Sequence, residues 1–119
     1  MNVRRGDVVI LDFPQAPGQP PKRRPAVVVQ SDHNNGRLTN SIFAMVTSNI
    51  RLATTEPAQV LIDVATPDGQ RTGLTRTSAV KCENLYTLPQ ATVLKTIGQL
   101  SPVLLQQVDD ALKASLGLP

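Results

Sequence analysis

Aromatic residues are almost missing. Phe13, Phe43 and Tyr86 are the only ones among 119 residues, and tryptophan is absent. A core must therefore be built from Val, Leu, Ile and Ala, and few rings are free to stack on bases. Histidine and cysteine occur once each. With His33 alone, a two-histidine acid–base pair cannot exist within one subunit. With Cys82 alone, neither an internal disulfide nor a cysteine metal cluster can form. Cys82 lies in an apolar alternation, the setting of a buried, inert thiol. His33 lies in an Asn-rich stretch and reads as an exposed polar residue. No apolar run approaches the ~20 residues that a membrane span needs. The charged N-terminus has no apolar signal core behind it, because Val8 to Leu11 is short and Asp12 closes it. A cytoplasmic protein is expected. No Gly-rich phosphate loop and no spaced acidic cluster is present, so neither metal nor cofactor is expected. Asp7 and Asp12 read as strand flanks, and Asp109-Asp110 as solvation of a helix.

What is present begins with punctuation. Ten prolines and seven glycines mark many turns, and 40% apolar residues suffice for a core. The length suits a single domain over residues 1–119. The net charge is +3 and the pI about 9.5. All but Lys95 and Lys113 of the twelve Lys and Arg fall within residues 1–81. That bias suits a polyanionic partner, although the same charge also serves ordinary solubility.

The hydrophobic pattern predicts short strands over Val8 to Phe13, Pro25 to Gln30, Ser41 to Thr47, Gln59 to Val64, Ser78 to Leu85 and Lys95 to Leu100. Polar loops separate them at Pro14–Lys22, Ser31–Asn40 and Ser48–Ala58. Thr66-Pro67-Asp68-Gly69 reads as a turn and Pro89–Leu94 as a short helix. Ser101-Pro102 is a cap followed by a helix-starting proline. Val103, Leu104, Val108, Ala111, Leu112, Ser115 and Leu116 then fall on one helical face, and Gly117 ends it. No βαβ alternation occurs. The fold class expected is mainly β with helical additions: a small, partly closed antiparallel barrel and a C-terminal amphipathic helix.

The chemistry left to such a chain is arginine, hydroxyls and amides at strand ends. Lys22-Arg23-Arg24 precede a wholly apolar strand, and Thr47-Ser48-Asn49 end the next one. An arginine fork matches phosphate oxygens, and a threonine hydroxyl can donate to another. Together they could stabilise a pentacoordinate phosphorane. With RNA as substrate, its own 2′-hydroxyl could attack, needing neither a metal nor a nucleophilic side chain.

Several segments resemble toxins of the MazF/PemK family. They are Arg5-Gly6-Asp7-Val8 leading into Asp12-Phe13, Arg24-Pro25-Ala26-Val27-Val28-Val29-Gln30-Ser31-Asp32, Val46-Thr47-Ser48, Gly73-Leu74, Ser78 to Leu85, and Ile97-Gly98-Gln99-Leu100-Ser101. The resemblance implies an SH3-like (CcdB/PemK-like) barrel, a homodimer, and metal-independent cleavage of single-stranded RNA or mRNA at short sequences. The products would be a 2′,3′-cyclic phosphate and a 5′-hydroxyl. It implies catalytic roles for Arg24 and Thr47 and an acidic cognate antitoxin as partner. Arginine keeps its proton, so Arg24 suits charge stabilisation or proton donation. Lys22 and Arg23 suit the phosphate backbone, and Gln19, Ser48, Asn49, Glu83 and Asn84 suit base edges. The loop Pro14 to Arg23 departs from the common family pattern: Gly18-Gln19 is followed by Pro20-Pro21-Lys22-Arg23 rather than by an acidic residue and a glutamine. Two alternatives stand beside this reading, a gyrase-poisoning toxin on the same barrel and an RNA-binding module without catalysis.

Overall fold

Alternate residues of the same strands feed two separate cores. Val8, Val27, Ala44, Val46, Val60 and Val80 face one way. Val9, Leu11, Ala26, Val28 and Phe43 face the other. The computed structural model describes residues 2–119, and Met1, which opens the charged N-terminus, lies outside them. The strands are β1 (Asp7–Phe13), β2 (Lys22–Val28), β3 (Asn40–Thr47), β4 (Gln59–Ile62), β5 (Ser78–Pro89) and β6 (Val93–Gln99). The helices are α1 (Asp32–Arg37), α2 (Pro67–Gln70) and α3 (Pro102–Leu116). The strands form one antiparallel sheet in the order β4-β5-β3-β2-β1-β6. The mainly β class with helical additions holds, but the sheet ends at β4 and β6 do not pair, so the barrel stays open.

The segment after β4 spans the gap. Gln99 N–H donates to the Arg71 carbonyl at 3.0 Å. Gly73 (φ 73°) lies so close to β6 that a Cβ would sit 2.0 Å from the Ile97 carbonyl oxygen. A Cβ on Gly98 would sit 2.4 Å from the Arg71–Thr72 backbone. Only residues without side chains permit this backbone-on-backbone packing.

Helix α3 covers the first core. The Ser101 side chain accepts from the Leu104 N–H, Pro102 opens the helix, and Gly117 closes it in the left-handed conformation. Leu104, Val108 and Ala111 are buried against the sheet. Val103 and Leu116, expected on the same face, are 57% and 58% exposed. They flank the buried line rather than lie on it.

Other expectations need correcting. The polar loop expected over 31–40 contains α1, capped by Ser31 and tied down by the buried Asn35. Gln30 donates to Asn35 Oδ1 at 3.0 Å, Ser41 donates to the same oxygen at 2.6 Å, and Asn35 donates back to the Gln30 carbonyl. A satisfied polar hub thus replaces an apolar anchor. The turn at 66–69 is α2, and β4 stops at Ile62. β5 runs on to Pro89, so Pro89–Leu94 holds only a single 3-10 turn, Gln90–Thr92, before β6. The basic residues Lys22 to Arg24 belong to β2 itself, and Pro25 lies mid-strand rather than first. His33 is exposed, as expected.

Candidate active site

Pro25 shapes the site. The β2–β3 ladder pairs Val28 with Phe43, Val27 with Ala44 and Ala26 with Met45, and there it stops. The next residue of β2 is Pro25, which has no N–H to give. On its other side β2 continues, with Arg24 opposite Leu11, Arg23 opposite Asp12 and Lys22 opposite Phe13 of β1. The start of β2 is therefore held by one neighbour and open toward the end of β3. That opening is a cleft of about 280 Å³. Lys22, Arg23, Arg24 and Pro25 line one side, and Val46, Thr47 and Ser48 the other. Leu74, Thr75, Arg76 and Ser78 complete it.

Side-chain parity follows from the ladder. Arg24 shares a strand face with Ala26 and Val28, and Thr47 shares one with Met45 and Phe43. The cleft thus prolongs the face of the second core. Arg24 and Thr47 are half-buried, which limits their motion while leaving their polar ends available. Thr47 Oγ1 accepts from the Asn49 N–H at 3.1 Å, and Asn49 Oδ1 accepts from the Arg51 N–H at 3.2 Å. These turns fix the strand end while leaving the Thr47 proton to be donated. Arg23 lies 3.5 Å from Asp12, a loose and exposed pair that leaves its charge facing solvent.

Five sequence-predicted residues therefore meet in one place: Lys22, Arg23, Arg24, Thr47 and Ser48. Asn49 lines an adjoining recess, which Thr47 also borders. Glu83 and Asn84 lie on an irregular stretch of β5, where pairing with β3 jumps from Ala44–Leu85 to Met45–Lys81. Glu83 accepts from Gln59 at 2.9 Å, and Asn84 contacts Met45 Sδ at 3.8 Å. Neither lines the cleft. Gln19 lies exposed in the loop between β1 and β2 and does not line it either.

Sequence reasoning missed Arg76. It precedes an apolar strand as Arg24 does: Arg76-Thr77-Ser78-Ala79-Val80 beside Arg24-Pro25-Ala26-Val27-Val28. That repeated cation-before-strand pattern was the available signal. Among the described residues, no three His, Cys, Asp or Glu side chains cluster to hold a metal ion. Cys82 is fully buried, and burial, then the Glu83 charge, raises its thiol from the ordinary 9.0 to about 12. It is inert, as its surroundings predict.

The model of the PemK-like, MazF-like toxins of type II toxin–antitoxin systems matches residues 4–116. The chain belongs to this toxin family. It is 34% identical to endoribonuclease MazF6 of Mycobacterium tuberculosis, over 99% of this chain and all of that protein. It is 32% identical to endoribonuclease EndoA of Bacillus subtilis, over 99% of this chain and 97% of that one. Among solved structures, a mycobacterial endoribonuclease in complex with its cognate antitoxin superposes with a TM-score of 0.79, over 98% of this chain and 97% of that one, at 23% identity. A MazE–MazF complex from Deinococcus radiodurans gives 0.75 over the full length of both chains, at 22% identity. These structural matches carry the toxin fold. The family model and the curated relatives carry the membership.

Proposed function

We propose that this toxin is a metal-independent endoribonuclease that cuts single-stranded RNA, mRNA in particular, at short sequences. The observation that carries this reading is the meeting of Arg24 and Thr47 across one cleft whose remaining charge, Lys22, Arg23 and Arg76, is all positive. The relatives named endoribonucleases support it. The cleft receives the scissile phosphate. The RNA's own O2′ attacks phosphorus, the O2′–P bond forms and the P–O5′ bond breaks. The proton lost at O2′ is matched by one gained at O5′. The ends are a 2′,3′-cyclic phosphate and a 5′-hydroxyl.

Arg24 acts by its fixed charge and paired donors, aimed where negative charge develops. Thr47 donates its hydroxyl to a non-bridging oxygen. Lys22, Arg23 and Arg76 hold neighbouring phosphates, which position the chain without reading it. Ser48, Asn49, Gln19 and Asn84 lie outside that phosphate grip or at its rim and are the residues we assign to base contacts, with Glu83, next to Asn84, contributing to base selection.

The chain acts as one domain, 1–119, in a homodimer, and is restrained by an acidic cognate antitoxin that covers the basic cleft. The antitoxin complexes among the structural neighbours support the partner. The toxin's place of action is the cytoplasm; among the described residues no helix is long and apolar enough to cross a membrane. A gyrase-poisoning role would make no use of the Arg24–Thr47 cleft. The test is to incubate the toxin with a long RNA in EDTA. Defined cuts with 5′-hydroxyl and cyclic-phosphate ends are expected. Intact RNA would remove the proposal.

A further inference from the structure

Beside the cleft lies a smaller recess of about 70 Å³, bordered by Thr47, Asn49, Arg51, Leu52, Gln59 and Lys81. Gln59 is the first residue of β4 and stands opposite Lys81 of β5. Directly opposed residues of an antiparallel pair share a face, so both side chains point away from the core that holds Val60 and Val80. Gln59 is nevertheless only 8% exposed. Its Nε2 donates to the Glu83 carboxylate at 2.9 Å. A carboxylate only accepts, which fixes the amide nitrogen toward Glu83 and turns the amide oxygen away. That oxygen, Oε1, is buried and has no donor among the described residues.

A buried acceptor held in place without a donor is unfavourable by itself. Gln59 borders the recess next to the cleavage cleft, so a small shift of that wall on binding would uncover the oxygen for an arriving donor. The walls define the visitor. Gln59 Oε1 requires an N–H, Lys81 and Arg51 require an acceptor beside it, and Leu52 offers an apolar surface. The volume admits the edge of a ring rather than a nucleotide. An exocyclic amino group next to an unprotonated ring nitrogen satisfies all of these. On the Watson–Crick edge, adenine and cytosine carry that pair. Uracil's N–H is set back between two carbonyl oxygens that would face Oε1. On the same edge guanine places a ring N–H where the cations require an acceptor, and its amino group meets an unprotonated nitrogen, N3, only on the sugar side.

We propose that Gln59, oriented by Glu83, reads the amino edge of an adenine or cytosine in a nucleotide next to the scissile phosphate. The inference rests on the RNA-cleavage reading and deepens it, because Thr47 borders both spaces. Glu83 then acts as the positioning residue for Gln59 instead of as the reader itself.

The test has two arms. A random RNA pool is cut and its new ends are sequenced. Separately, a random pool of uncleavable 2′-fluoro oligonucleotides is passed over the protein and the retained sequences are read. Adenine or cytosine should be enriched at one position next to the cut, and in the retained pool. Replacing that base by its des-amino analogue, purine or 2-pyrimidinone, should weaken wild-type binding about five- to tenfold. Gln59→Met, checked for an unchanged melting temperature, should lose the enrichment and bind both versions alike. Wild-type indifference to the missing amino group would overturn the inference, and that arm needs no variant to fold. So would a folded Gln59→Met protein that keeps the preference. If wild type cuts no RNA, the RNA-cleavage reading falls, while the retained pool still decides what Gln59 reads.

Discussion

Arg24 and Thr47 are the next pair that the β2–β3 register would bring face to face. The ladder's last partners are Ala26 and Met45, and two residues further along each strand stand Arg24 and Thr47. Pro25 and Val46 lie between, and there the pairing fails. The site is therefore a cross-strand pair that has been opened. Its two members keep the alignment of a sheet, while the space between them is free for a phosphate.

Removing the arginine tests the chemistry. Arg24→Ala should lower the cleavage rate by ~100-fold or more, the scale set by deleting one preorganised stabilising donor. Arg24→Lys should recover only part of it, since a point charge lacks the planar fork. Melting temperatures of all three proteins should agree within a few degrees, because Arg24 makes no side-chain hydrogen bond or ion pair among the described residues. Parent-rate cleavage by the alanine variant would disprove the assignment.

The proline can be tested apart from the chemistry. Pro25→Val restores an N–H and a residue suited to strands. The ladder should extend by at least one pair and narrow the cleft. Cleavage should fall by ~10-fold or more from the displaced geometry, while the melting temperature stays level or rises. Hydrogen exchange at the new amide reports whether the ladder closed. A protected amide with full activity would sink the idea that the opening matters.

The sequence made some of this legible and hid the rest, for identifiable reasons. β1, β3 and α3 announce themselves because each carries its own signal: alternation, an apolar run, or a cap with a left-handed glycine at the far end. Arg24 and Thr47 are legible because they punctuate apolar strands. Helix α1 is not. Its sequence, Asp-His-Asn-Asn-Gly-Arg, has poor helix formers at every position but the last, and a tertiary hub centred on Asn35 stabilises it instead. Gln59 is hidden for another reason. Its importance comes from the neighbour across the sheet, and linear spacing does not encode that register.

The Asn35 hub also yields a stability prediction. Asn35→Ala removes the acceptor that serves both Gln30 and Ser41, and Ser41 is fully buried. The loss should be roughly 2–3 kcal/mol, the cost of stranding buried polar groups. Urea unfolding measures it. A loss below about 0.5 kcal/mol would mean that water replaces the side chain without penalty.

Cys82 sets an alkaline limit. Its folded pKa of about 12 exceeds the ordinary 9.0, because burial disfavours the thiolate. Below pH 9 both folded and unfolded chains keep the proton, and the thiol's contribution is intact. Between pH 9 and 12 the unfolded chain releases a proton that the folded chain retains, so stability falls as pH rises. Cys82→Ala should flatten that fall when unfolding is followed across this window. In the native protein a thiol reagent at pH 8 should react only as fast as the protein unfolds.

The unpaired stretch of β2 carries one more consequence. An open strand edge invites a strand from another molecule, and proteins that keep such edges guard them with charge or proline. Here both guards are present, as Lys22, Arg23, Arg24 and Pro25. The cations proposed to grip RNA are thus, with Pro25, also gatekeepers against self-association. A toxin disarmed by neutralising several of these charges would expose a bare edge, and would be harmless to RNA yet prone to aggregate.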